Sequence, residues 1–129
     1  MSEKISPERI RLKRAYEPPS HGDGRRILVD RLWPRGVKKA EAAIDAWLKD
    51  LSPSPLLRKW FGHDPGRWDE FRRLYRNELN EKHRAIKLLR AKSGEGLLTL
   101  VHAAHNPDHS AALVLKAFLE GPGGPTEAA

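Results

Sequence analysis

The sequence has no cysteine among its 129 residues. That absence excludes disulfides, thiolate metal sites and a cysteine nucleophile. It also has no run near the roughly 18 apolar residues that a membrane-spanning helix needs. Met1 to Ile10 contains no apolar core of the kind that marks a secretory leader, so the chain reads as cytoplasmic, with no membrane partner. No glycine-rich phosphate cradle is present, because Gly22-Asp23-Gly24 lacks the required spacing. Ser110 lacks the flanking glycines of a nucleophile elbow. No zinc finger, RNA-recognition signature or internal repeat occurs.

What remains is the composition of one globular domain. Hydrophobic residues make up 39% and charged residues 32%, with a net charge of +7. Such an excess attracts anions over long range. The domain is expected over residues 1–120, followed by a flexible tail over 121–129 that is rich in glycine and proline.

Along the chain, Ile10 to Ala15 alternates apolar and basic residues and reads as a strand with one wet face. The breakers from Glu17 to Gly24 form a loop. Arg26 to Leu32 follows as a strand apolar on both faces, which places it centrally with helices above and below. Ile44, Trp47, Leu48 and Leu51 fall at helical spacing and predict a helix over Lys38 to Leu51. Ser54-Pro55, Asp64-Pro65 and Asn106-Pro107 each place a side-chain acceptor at an N-cap with proline after it, so each predicts a helix start. Trp68, Phe71, Tyr75 and Leu79 form one stripe, and Glu81 to Lys92 continues it or adds another helix. Leu97 to Val101 is a short buried strand, and Pro107 to Leu119 the last helix. The sum is a small single-domain α/β fold, three-layer-like, with a short, mostly parallel sheet flanked by helices.

In such sheets ligands gather beyond the carboxyl ends of the strands. Two strand ends here are rich in polar residues. The first holds Asp30, Arg31, Trp33 and Arg35. Arg31 and Arg35 suit an anion because a guanidinium donates a forked pair of hydrogen bonds. Asp30 is a candidate general base or orienting group, and Trp33 a stacking platform or a core residue. The second holds His102, His105, His109 and Ser110. Here a helix expected to start at Asn106-Pro107 would turn its free N–H groups toward an anion, and His102 or His105 could carry protons. Three imidazoles within eight residues could also hold a metal, but proline interrupts the helical spacing, so no metal is assigned. His63, before a further helix start, is a candidate ligand contact or a plain turn residue.

The segments Gly24 to Gly36, Trp47 to Pro53 and Leu57 to Pro65 resemble the signature blocks of the YeaO-like domain-of-unknown-function 488 (DUF488) family. The resemblance runs from about Ile10 to Leu119. It implies a compact α/β domain of bacterial type and no particular activity. Departures fall at the second cluster. His102 stands where the pattern has tyrosine, His105 where it has arginine, and Ser110 where it has asparagine. In another branch of the wider family, cysteines occupy the positions of His102 and Ser110.

Two readings follow. One is a strand-end site for an anionic small ligand, phosphorylated or not, with Asp30, His102 and His105 as candidates for chemistry and Arg31, Trp33, Arg35, His63, His109 and Ser110 as contacts. The other is a nucleic-acid or protein interaction module that uses the basic surface without catalysis. No motif specifies a cofactor.

Overall fold

The computed structural model describes residues 5–121; the predicted tail beyond Gly121 lies outside them. Four strands, β1 (Ile10–Arg14), β2 (Arg25–Leu28), β3 (Ala46–Trp47) and β4 (Leu98–His102), form one sheet in the order β1-β4-β2-β3. Every pairing is parallel. Five helices accompany them: α1 (Lys39–Ala42), α2 (Pro55–Phe61), α3 (Trp68–Glu81), α4 (His83–Ser93) and α5 (Ala111–Glu120).

Side chains alternate across the sheet, and the two faces are covered unequally. Ile10, Ile27, Val29, Leu98 and Leu100 join the main core with residues of α2 to α5. Phe71, Tyr75 and Leu79 enter it from α3, as the stripe predicts. Leu28 and Val101 are fully buried outside that core, beside Trp33, Val37, Ala42 and Ile44. The second face is therefore capped by α1 and its flanking loops rather than by a full helical layer.

The helix expected over Lys38 to Leu51 does not form. One turn, α1, ends at Ala43, whose φ is 53°. The chain then joins the open edge of β2. Asp45 N–H donates to the Arg26 carbonyl and Leu48 N–H to the Leu28 carbonyl, while the Asp45 carboxylate accepts the Arg26 N–H at 2.8 Å. A bare sheet edge leaves backbone groups unpaired, and satisfying them outweighs the local helical spacing.

The strand predicted over Arg26 to Leu32 is also shorter. Its last ladder bond runs from Val29 N–H to the Val101 carbonyl, and Leu32 is 68% exposed. The predicted last helix divides in two. Pro107–His109 is a single 3-10 turn, and α5 begins only after Ser110. Ser110 has extended backbone, and its hydroxyl accepts the Leu113 N–H, so the helix cap lies four residues beyond Asn106. Asp64-Pro65 likewise opens a 3-10 turn that leads into α3. Ser54 caps α2 directly, as expected.

Candidate functional site

Because β2 and β4 are parallel neighbours, their carboxyl ends lie side by side. The segments leaving them wall a cavity of about 450 Å³, within the usual range of small-ligand pockets, about 300–1,000 Å³. Asp30, Arg31, Trp33 and Arg35 line it from the first strand end, and His105, His109 and Ser110 from the second. His63, after α2, lines it too. Thus eight of the nine sequence candidates meet in one cavity.

His102 is the exception. It is the last residue of β4, only 2% exposed, and absent from the lining. Its Nδ1 accepts the Ala104 N–H. Burial and the nearby Arg14 push its pKa down, against Glu17. A neutral, internally bonded imidazole behind the cavity wall is a structural part, and the proton-carrying role considered for it loses its geometric basis.

Sequence reasoning missed Arg58. It lies on the exposed face of α2 and lines the cavity, where its charge acts on Asp30. It also missed the floor, where Phe61 and Phe71 stack at 4.4 Å between ring centroids. The helical stripe marks Phe71 only as core, and it gives Phe61 no role. Nothing in the local pattern of α2 shows which way Arg58 turns.

Asp30 sits at the junction of the two walls. One carboxylate oxygen accepts the Ala103 N–H at 2.9 Å, and the Asp30 carbonyl accepts from Trp47 Nε1. Burial raises the pKa of its carboxyl, and the Ala103 bond and the charge of Arg58 offset this only in part. Trp33 is half-buried, edge-on to Trp47 at 5.5 Å, and its Nε1 donates to the Val37 carbonyl. It is therefore a fixed wall and not a mobile ring. His109 packs edge-on against Trp68 at 5.0 Å, with Nδ1 hydrogen-bonded to the Asn106 side chain.

Ser110 is committed to the fold. Its hydroxyl donates to the Pro107 carbonyl and accepts the Leu113 N–H, and the residue is 2% exposed. A nucleophilic serine needs a base on its proton; this proton is held by a backbone carbonyl. Nor do three His, Cys, Asp or Glu side chains converge in a metal-holding arrangement among the described residues.

The arginines differ in kind from these fixed groups. Arg31, Arg35 and Arg58 all line the cavity, and none has an ion pair or side-chain hydrogen bond within the described residues. Several basic residues elsewhere are occupied. Lys13 pairs with Asp23, Arg72 with Asp69 and Arg73 with Glu70. Arg14 donates to the Ala104 carbonyl.

Comparison with known proteins agrees with the resemblance seen in the sequence. Residues 9–124 match the family model described as "Inactive DUF488-N3 subclade". An uncharacterized protein of Mycobacterium tuberculosis is 41% identical over 117 residues, covering 91% of this chain and 98% of the relative. The uncharacterized protein YeaO of Escherichia coli is 43% identical over 110 residues, covering 85% of this chain and 96% of the relative. No solved structure matches.

Proposed function

Because the chain belongs to the YeaO-like DUF488 family, and matches a subclade described as inactive, we propose that its strand-end cavity binds a small anionic ligand without transforming it. One observation carries this reading: three arginines converge on one cavity with no acidic partner besides the single carboxylate of Asp30. Guanidinium groups left unpaired at a concave site are arranged to donate forked hydrogen bonds to a phosphate or carboxylate.

The same residues support binding without chemistry. Ser110 is a helix cap, His102 is buried away from the cavity, and Asp30 is half engaged by Ala103. His105 is exposed and lines the cavity, and the two serine hydroxyls of that lining, Ser52 and Ser110, donate to backbone carbonyls. The aromatic floor and the Trp33 wall would accept a ring on the ligand, so a nucleoside monophosphate fits the lining better than bare phosphate.

The test is a thermal-shift and calorimetric comparison of inorganic phosphate, nucleoside monophosphates and sugar phosphates at fixed ionic strength. A ligand at a hundred times its Kd adds about 2.7 kcal/mol, which raises the Tm of a domain this size by at least roughly 5 °C. The shift should vanish in the triple variant R31A/R35A/R58A. A flat panel, or a shift that survives the triple variant, would overturn the reading.

A further inference from the structure

The cavity does not end at its own rim. A second, more open trough of about 920 Å³ begins where it stops, and Arg31, Leu32, Ser52 and Pro53 line both. From there the trough runs between the Lys49–Leu51 turn and the start of α4. Its charged lining is Arg31, Lys49, Lys82 and Arg84 against Asp50 and Glu81, four cations to two carboxylates.

These cations differ in how far they are free. Lys82 Nζ donates to the Ser52 carbonyl at 2.6 Å, so it fixes the trough wall. Lys49 Nζ lies over the Trp47 ring, 4.3 Å from its centroid, which holds the ammonium at the surface without neutralising it. Arg84 is exposed, with no ion pair or hydrogen bond from its side chain among the described residues. Beyond the cavity, then, the trough lining holds two exposed cations, Lys49 and Arg84, without an acidic partner among the described residues.

A mononucleotide would leave those two cations unused. Single-stranded nucleic acid would use both parts, because its binding sites combine a positive groove for the backbone with aromatic surfaces for the bases. Resting on the cavity reading above, we propose that cavity and trough form one site for the phosphorylated end of single-stranded nucleic acid. The terminal phosphate meets Arg31, Arg35 and Arg58, the first base lies against the aromatic lining, and the following phosphates run past Lys49 and Arg84. A duplex is excluded from such a site by width, since the terminal nucleotide must enter a cavity of about 450 Å³.

The test is calorimetric titration of thymidine monophosphate and of tetrathymidylate, each with its phosphate at the 5′ end and, separately, at the 3′ end. One of the two tetramers should bind at least about tenfold more tightly than its monophosphate. Two extra phosphate contacts should also steepen its salt dependence by about 1.4 in log–log slope. In K49E/R84E this gain should disappear while monophosphate binding persists; both positions are exposed, and K49Q/R84Q serves if charge reversal lowers the melting temperature. Tetramers that bind no more tightly than the monophosphates would overturn the extended site and leave the cavity reading standing. A gain that survives K49E/R84E would overturn the trough as its source. No binding of any of the four probes would overturn both readings together.

Discussion

The Asp30 carboxylate accepts the Ala103 N–H at 2.9 Å, so one side chain pins the end of β2 to the segment leaving β4. The bond holds the two cavity walls in register, and it costs a partly desolvated charge. Burial raises the Asp30 pKa above its ordinary 3.8. The folded state then binds more protons than the unfolded chain between 3.8 and the raised value, so stability falls as pH rises through that window. Asp30→Asn keeps an acceptor for Ala103 and removes the charge. Urea midpoints should show D30N at least as stable as the parent at pH 7, with the difference closing below about pH 4. Asp30→Ala, which leaves the Ala103 N–H without its partner, should lose about 1–3 kcal/mol at pH 7. A parent more stable than D30N at neutral pH would show that ionised Asp30 is a net stabiliser.

Asp23 shows the opposite sign. Burial pushes its carboxyl up, but the Ser20 N–H, Lys13, the Ser20 hydroxyl and Arg26 together hold it well below the usual carboxylate range. Its contribution is present above about pH 4 and fades as pH falls below 3.8 toward the folded-state value. The Asp23–Arg26 pair is 2.7 Å apart, with both side chains 4% exposed, and Arg26 also donates to the Ala42 carbonyl. Breaking a buried pair strands the other charge. Asp23→Ala should therefore cost about 3–5 kcal/mol in denaturant unfolding at pH 7. In the double variant D23A/R26M most of that loss should be recovered, whereas simple additivity would mean that the two charges do not depend on each other.

Much of this was legible in the sequence, for identifiable reasons. The Arg31–Trp33–Arg35 and His105–His109 clusters could be placed at strand ends because apolar runs stop there abruptly, and the parallel pairing that unites them follows from strands interleaved with helices. The Ala46–Trp47 strand was not legible. Trp47 and Leu51 sit at helical spacing, and only the unpaired edge of β2, a tertiary feature, turns the segment into a strand. Asn106-Pro107 misled for a related reason. It is a correct start signal for a single turn, but Ser110 supplies a second cap that begins α5 proper. His102 was grouped with the site candidates because residue type alone does not report burial.

Gly24, just before β2, passes close to the backbone that leads into β4. Its φ is 65°, and a Cβ built there would lie 2.2 Å from the Leu97 carbonyl oxygen, beside the Arg25 N–H to Leu97 O bond that starts the β2–β4 ladder. Backbone blocks the space, so no rotamer change relieves the contact. Gly24→Ala should cost more than about 2 kcal/mol, read as a lowered Tm. Gly36 makes the control. Its φ is 82° but nothing lies within 4 Å of a Cβ there, so Gly36→Ala should pay only for the conformation, about 1 kcal/mol. Equal losses at the two sites would mean that the Leu97 approach relaxes freely.

Ser110 separates a structural from a chemical reading of the second cluster. Its hydroxyl closes the first turn of α5 by accepting the Leu113 N–H at 3.2 Å, and its proton goes to the Pro107 carbonyl. Alanine removes both bonds, and an N-cap serine is worth about 1 kcal/mol, at most about 2. Ser110→Ala should lower stability by that amount and leave the affinity of the cavity for phosphate compounds within about twofold. Asparagine, which caps as well as serine and is the residue the family pattern carries at this position, should restore the Tm. A nucleophilic serine would behave otherwise. S110A and S110N would then both abolish turnover of any activated ester or phosphoester tested, whatever their stability. Restored melting in S110N, with no reaction lost in either variant, would fix Ser110 as a cap and leave the arginines as the part of the cavity that recognises the ligand.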